Sequence, residues 1–290
     1  LYGSRGANGV IIISTKNAEC EKMSVSFSAK ARHISRAIPT YRTLDSKSYM
    51  ETMYQAVYND LRYINGYPDE SARGMVPSTL AKEILGGTDE IYNPFNLKAA
   101  ELFDSNGKIV PYAKLRYGES WLDAATRTFP VRQEYQASIS GSAARLQYNA
   151  SLSYLDEKGL LSTTEFSRYT GRVKLEASPF KMLKTGINIG FSHNNTNYLA
   201  LSGTSNSNVW FYAKLMAPIY PVYSKNPDGS DLLGADGKKI FDYGLYRPAG
   251  AQNNKNCVAT LFDDEFRNSA DNLNAKAHLD LLFLDDALKF

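Results

Sequence analysis

The chain has 290 residues, 12% of them aromatic and led by 20 Tyr, with a formal net charge of +3. So mild a charge argues against a nucleic-acid binder, and the two cysteines, Cys20 and Cys257, form no metal or redox spacing. No run of about 18 apolar residues occurs, so no transmembrane helix is expected, while a mean hydropathy of −0.37 leaves a β-barrel open because half of every barrel strand faces a polar interior.

From the start, Gly3, Gly6 and Gly9 permit tight turning, and Val10 to Thr15 is a β-branched run that suits a buried strand. A phosphate loop is excluded there, since no strand precedes the glycines and no helix follows them. Val25 to Arg32 alternates apolar with polar residues and predicts the first strand of a sheet with one apolar and one polar face. A loop from His33 to Pro130 follows, long enough to need a function or a substructure of its own. Within it, Ser48 with Glu51 reads as a capping box for a helix that sets Tyr49, Met50, Met53, Tyr54, Val57 and Tyr58 on one face. Ser78 to Leu85 reads as a second short helix stopped by Gly86 and Gly87.

Val131 to His193 carries the plainest pattern in the chain, four consecutive segments of period two. Short turns at Gly141 to Arg145 and Ser178 to Met182 alternate with a long polar connection from Leu155 to Arg168. Long strands with short turns at one end and long loops at the other are the pattern of an outer-membrane barrel; a soluble β-sandwich also alternates but uses shorter strands. A second long loop, His193 to Asp271, is expected to hold a helix near Asn208 to Met216, the Pro218 to Tyr223 segment, and turns at Asp228-Gly229 and Asp236-Gly237. Its aspartates lack the spacing of a calcium loop, and no metal or cofactor site is expected. Leu273 to Phe283 is a sixth strand, Leu284 to Ala287 a short turn, and Leu288 to Phe290 the start of a seventh. His33, His193 and His278 fall in separate segments with no catalytic motif, which argues against an enzyme.

Tyr2, Gly3, Arg5, Ala7, Asn8, Gly9, Val10 and Ile11 resemble the string that closes the plug domain in the SusC-like branch (SusC/RagA) of the TonB-dependent outer-membrane receptors. Trp121-Leu122-Asp123, Phe166 to Tyr169, Arg172 and Leu183-Lys184 extend the resemblance, and Pro218 to Tyr223 extends it more weakly. It implies an all-β chain, a fragment of a transmembrane antiparallel β-barrel of roughly 22 strands, with residues 1–19 ending the plug and 20–290 supplying six to seven strands and two extracellular loops, 33–130 and 193–271. It further implies an outer-membrane importer of a Gram-negative bacterium, in the Bacteroidota, that takes up a glycan. Its implied partners are a SusD-like lipoprotein lid, TonB with ExbB and ExbD reached through an upstream segment, and the lipid bilayer. Uptake of oligopeptides or siderophore-type ligands, and a non-transporting adhesion or assembly barrel, are the competing readings. Among the loop aromatics, Tyr54, Tyr63, Trp210, Tyr212 and Tyr220 are the candidate ligand contacts, since aromatic faces suit sugar rings as well as loop cores. Cys20 and Cys257 should lie on opposite sides of the membrane without a disulfide, with Cys257 open to thiol reagents from outside.

Overall fold

The computed structural model describes residues 9, 22–39, 41–198, 208–283 and 288–289. Of the plug string only Gly9 is among them, at φ +97°, a left-handed conformation that glycine adopts without strain. Tyr2, Gly3, Arg5 and Asn8, the expected strand Val10 to Thr15, Cys20, and the expected turn Leu284 to Ala287 lie outside the described residues.

Among the described residues seven strands form one antiparallel sheet in strict sequence order, β1 to β7. They are β1 (Ser24–His33), β2 (Val131–Ala143), β3 (Leu146–Lys158), β4 (Glu165–Phe180), β5 (Leu183–Asn197), β6 (Arg267–Phe283) and β7 (Leu288–Lys289). Directly paired residues share a face, so the register sorts the side chains. Ile139 pairs with Ala150, Ala150 with Val173, Val173 with Ile189 and Ile189 with Ala275, which builds one continuous apolar face. Ser138, Ser151, Arg172, Gly190 and Asn274 form the matching row on the other face. Val173, Leu175, Ile187, Ile189, Leu279 and Leu281 thus lie on the face opposite Arg172, Lys174, Lys184, Lys276 and Asp280, as the alternation predicts.

Four strands run further than their apolar alternation. The sequence places a long loop over Leu155 to Arg168, yet β3 and β4 stay paired up to Lys158 with Glu165, leaving only residues 159–164 as a turn. Likewise β5 pairs with β6 as far as Asn197 with Arg267, so the second long connection shortens to 198–266. The reason is that alternation records which face is apolar, whereas a ladder of backbone hydrogen bonds persists where both faces are wet. At the opposite end the turns are tight. Ala144, at φ +48°, closes the β2–β3 hairpin, and a bulge between Ala177 and Phe180 shifts the register so that Phe180 pairs with Leu183 on the apolar face.

The connection between β1 and β2 holds α1 (Ser46–Asn59), a π-helical turn (Asp60–Ile64), α2 (Asp69–Glu83), α3 (Ala99–Leu102) and α4 (Trp121–Ala125). The expected face of α1 forms, with Met50, Tyr54, Val57 and Tyr58 buried, but its cap is not Ser48. Asp45 Oδ1 accepts from the Ser48 amide at 2.7 Å, and Glu51 instead accepts from Lys108 Nζ and the Ile109 amide. Helix α2 begins nine residues before the expected Ser78 and carries Pro77 in its interior; such a proline removes one backbone hydrogen bond and crowds the preceding turn, a cost that the buried residues Ala72, Val76 and Leu80 offset. Gly86 and Gly87, both at positive φ, follow α2 as the sequence indicates. The connection between β5 and β6 contributes α5 (Val209–Leu215), capped by Asn208, and α6 (Cys257–Asp263), capped by Asn256.

Candidate functional site

The two long connections fold together into a single domain at one end of the sheet. Residues of α1, α2, α4, α5 and α6 share one hydrophobic core with Tyr92, Ile219, Tyr220 and Val222. Trp121 Nε1 donates to the Tyr220 carbonyl at 2.8 Å, and the Tyr220 hydroxyl donates to the Ile84 carbonyl at 3.0 Å. Asn256 Nδ2 donates to the carbonyls of Val222 and Asp242, while the Glu119 carboxylate accepts from the Val222 amide and from Lys225 Nζ.

Arg247 stands at the centre of this junction. Its side chain is fully buried, pairs with Asp242 at 2.6 Å, and donates to the Lys255 and Asp242 carbonyls. Its guanidinium lies 5.2 Å from the Trp121 ring, 5.7 Å from Tyr220 and 5.9 Å from Tyr92, within the range of cation–π attraction. Burial dominates the surrounding titrations. It pushes the Tyr92 and Tyr212 hydroxyls up to about 12 and raises Tyr117 and Tyr220 further. The Cys257 thiol, free and buried, is pushed up to about 12 by the same desolvation. That makes it a poor nucleophile and corrects the expectation of an accessible Cys257.

The aromatic candidates divide accordingly. Tyr54, Tyr212 and Tyr220 are 5%, 1% and 3% exposed, with their rings engaged in the domain core. Tyr63 is 74% exposed, and Trp210 is half-buried against the same core. The structure does not bring the five to one place. The aspartates of the second loop are also engaged: Asp228 accepts from the amide and hydroxyl of Ser230, Asp231 pairs with Lys225 and Lys239, and Asp236 caps the Lys238 amide. Among the described residues no group of three metal-ligating side chains converges. Arg247, Glu119 and Asn256 were not singled out in the sequence; only Asn256, an Asn ahead of the apolar run Cys257 to Leu261, carries a local signal, that of a helix cap.

The sheet has a built boundary of its own. On the apolar face Tyr135, Tyr154 and Tyr169 are consecutive cross-strand neighbours, and the Tyr154 and Tyr169 rings stack at 4.6 Å. His193 continues the row, with Nδ1 2.7 Å from Asp271 Oδ1. Towards the tight turns the face is apolar and open, with Leu152 69%, Phe27 72% and Leu273 71% exposed. Beyond the row it turns charged, as in the Lys158–Glu165 pair at 2.9 Å. From Tyr169 to Phe180 the wall runs about 36 Å along β4 at ~3.3 Å per residue, or roughly 28 Å in height at the ~40° tilt of barrel strands.

No family model matches the chain. It is 27% identical over 236 residues to the TonB-dependent receptor SusC of Bacteroides thetaiotaomicron, a match covering 81% of this chain and 18% of that protein. The chain is a relative of the SusC-like TonB-dependent receptors. The TonB-dependent receptor P26 of Formosa agariphila is 24% identical over 232 residues, covering 79% of this chain and 18% of its own length. The RagAB peptide importer in its closed-closed state superposes with a TM-score of 0.63 at 20% identity, over 98% of this chain and 29% of that one. Its open-open state superposes with a TM-score of 0.61 at 19% identity, covering 98% and 28%. This SusC-like chain therefore spans less than a third of the proteins it resembles, and its sheet is a segment of a barrel wall rather than a closed barrel.

Proposed function

We propose that the chain is the early barrel portion of a TonB-dependent importer in the outer membrane, taking up an oligosaccharide too large for a porin. The observation that carries this reading is the two-faced wall. Among the described residues a single antiparallel sheet presents a bilayer-high apolar face edged by a tyrosine row, a polar face on the other side, and a folded domain at one end. Large aliphatic side chains left in water would each forgo about 1.5–3 kcal/mol of burial, so that face belongs against lipid and the polar face against the lumen. The plug string at Tyr2 to Gly9 then precedes the barrel from the periplasmic side, and the domain of the two long connections lies at the extracellular rim, where a SusD-like lipoprotein lid would sit. TonB, with ExbB and ExbD, would act through segments upstream of this chain. Of the aromatic candidates, Tyr63 and Trp210 retain surface for a ligand, whereas Tyr54, Tyr212 and Tyr220 hold the domain together. Oligopeptide cargo is the second reading, favoured by the fold likeness to a peptide importer.

The test is uptake of labelled oligosaccharides and oligopeptides by cells carrying the full-length receptor, with and without TonB. Import that stops when TonB is removed supports the reading, and the preferred class of substrate assigns the cargo. Surface binding that persists unchanged without TonB, with no internal accumulation of either class, would instead establish an adhesion barrel.

A further inference from the structure

The middle of the polar wall holds an unusual arrangement of charge. Towards one end Arg132 lies 2.9 Å from Glu157 and 3.9 Å from Glu134, and Lys174, in one row with Asn188 and Lys276, pairs with Glu176 at 2.9 Å. In the middle, Arg172 of β4 and Lys276 of β6 carry no ion pair or side-chain hydrogen bond among the described residues. They flank β5, whose wall-facing residues there are small: Arg172 lies opposite Gly190, which lies opposite Asn274, and Lys276 lies opposite Asn188. The Arg172 side chain extends over Gly190, its Nε 3.7 Å from where a Cβ would stand. The result is a hollow of about 350 Å³ bordered by Arg172, Lys276, Asn188, Asn272, Asn274 and Ser192. β4 and β6 are two strand spacings apart, about 10 Å, so both long cationic side chains can reach one ligand group over Gly190.

We propose that this hollow is a carboxylate-binding site on the lumen wall, used by cargo in transit, and that the receptor's natural substrate is acidic. The proposal rests on the reading of the polar face as the lumen. A guanidinium supplies a two-pronged donor matched to a carboxylate, Lys276 adds a second positive charge, and the amides of Asn188, Asn272 and Asn274 can hydrogen-bond hydroxyl or peptide groups beside it. The volume accommodates one sugar unit or a short peptide stretch.

The experiment uses the full-length receptor in cells and compares R172Q/K276Q with wild type in the uptake of four labelled probes. These are an oligogalacturonate, its methyl ester, an acidic hexapeptide and its amidated counterpart. The expected result is that wild type prefers the acidic member of one pair, that added salt weakens the preference, and that the double variant loses about tenfold in uptake of that member, the scale of losing charge-assisted hydrogen bonds, with the neutral member unchanged. The galacturonate pair responding assigns an acidic saccharide, and the peptide pair responding assigns an acidic peptide and overturns only the saccharide reading. Equal uptake of acidic and neutral members by wild type, uptake of no probe, or an acidic preference that survives in the double variant overturns the site. A variant that equally loses every probe, or that admits a large antibiotic while keeping its acidic preference, shows that the two cations hold the barrel's own interior rather than cargo and likewise overturns it.

Discussion

At the residue scale, Arg247 shows why a buried cation can be retained. Its charge is matched by Asp242, its Nη1 and Nη2 also reach carbonyls, and three aromatic rings supply a polarisable wall. Removing one partner of such a pair leaves the other buried and uncompensated, which typically costs about 3–5 kcal/mol. Arg247→Met should therefore loosen the outer domain, read as faster proteolysis within residues 208–263 of the intact receptor, while the barrel still inserts. Cys257 reports the same core. An impermeant thiol reagent should leave it unmodified at neutral pH and modify it in Arg247→Met. The raised pKa values of Cys257, Tyr92 and Tyr212 set the sign of the pH dependence. In the folded domain these groups hold their protons up to about 12, whereas in the unfolded chain they release them from about 8.5 for Cys and about 10 for Tyr. Their contribution to stability is whole below about pH 8.5 and declines as pH rises towards 12. Labelling of Cys257 should accordingly rise across that alkaline window by more than thiol ionisation of a small peptide explains.

At the scale of elements, the strands owe their register to the faces they separate. A slip of one residue in β4 would carry its apolar side chains to the polar face, and Lys174 to the side of Ala150 and Ile189. Ile189→Arg would place a charge near the middle of the apolar face, at a cost of roughly 2–4 kcal/mol where lipid lies against it, whereas Lys184→Gln on the other face changes no burial. Refolding into lipid vesicles, followed by heat-modifiable gel mobility, should show a folding defect for the first and none for the second. Equal behaviour of the two would place the apolar face somewhere other than in lipid. The β3–β4 turn depends on a different device. Arg127 donates to the carbonyls of Gly159, Leu161 and Thr164 and pairs with Glu165 at 3.0 Å, tying the end of the first long connection to the rim of the wall.

At the scale of the whole molecule, the two connections are separated in sequence by four strands yet share one core, so each is packed in part against the other. Fixing each residue costs about 1–2 kcal/mol of backbone entropy, and the compensating contacts, Trp121 with Tyr220 and Tyr92 with Tyr220, cross from one connection to the other. Replacing residues 41–125 by a short linker should therefore make the second connection protease-sensitive even though none of its residues is altered. If the second connection stayed resistant in that variant, the shared core would not be what orders it.

The sequence by itself determined the wall and much of the helix content. Period-two alternation from Val131 to His193 and over Leu273 to Phe283 located the strands and their faces, because a strand with one apolar and one polar surrounding must write the two into alternate residues. The face of α1, the presence of a helix at α5 and the turn glycines at 86 and 87 were legible from local pattern as well. Only the tertiary structure decided where the strands stop, since Lys158, Glu165, Asn197 and Arg267 pair through backbone groups that every residue type carries. It alone also decided what the aromatics do. Tyr54, Tyr212 and Tyr220 look like Tyr63 in sequence, and what separates them is the burial produced when two distant connections meet around Arg247, a contact that no local pattern of residues encodes.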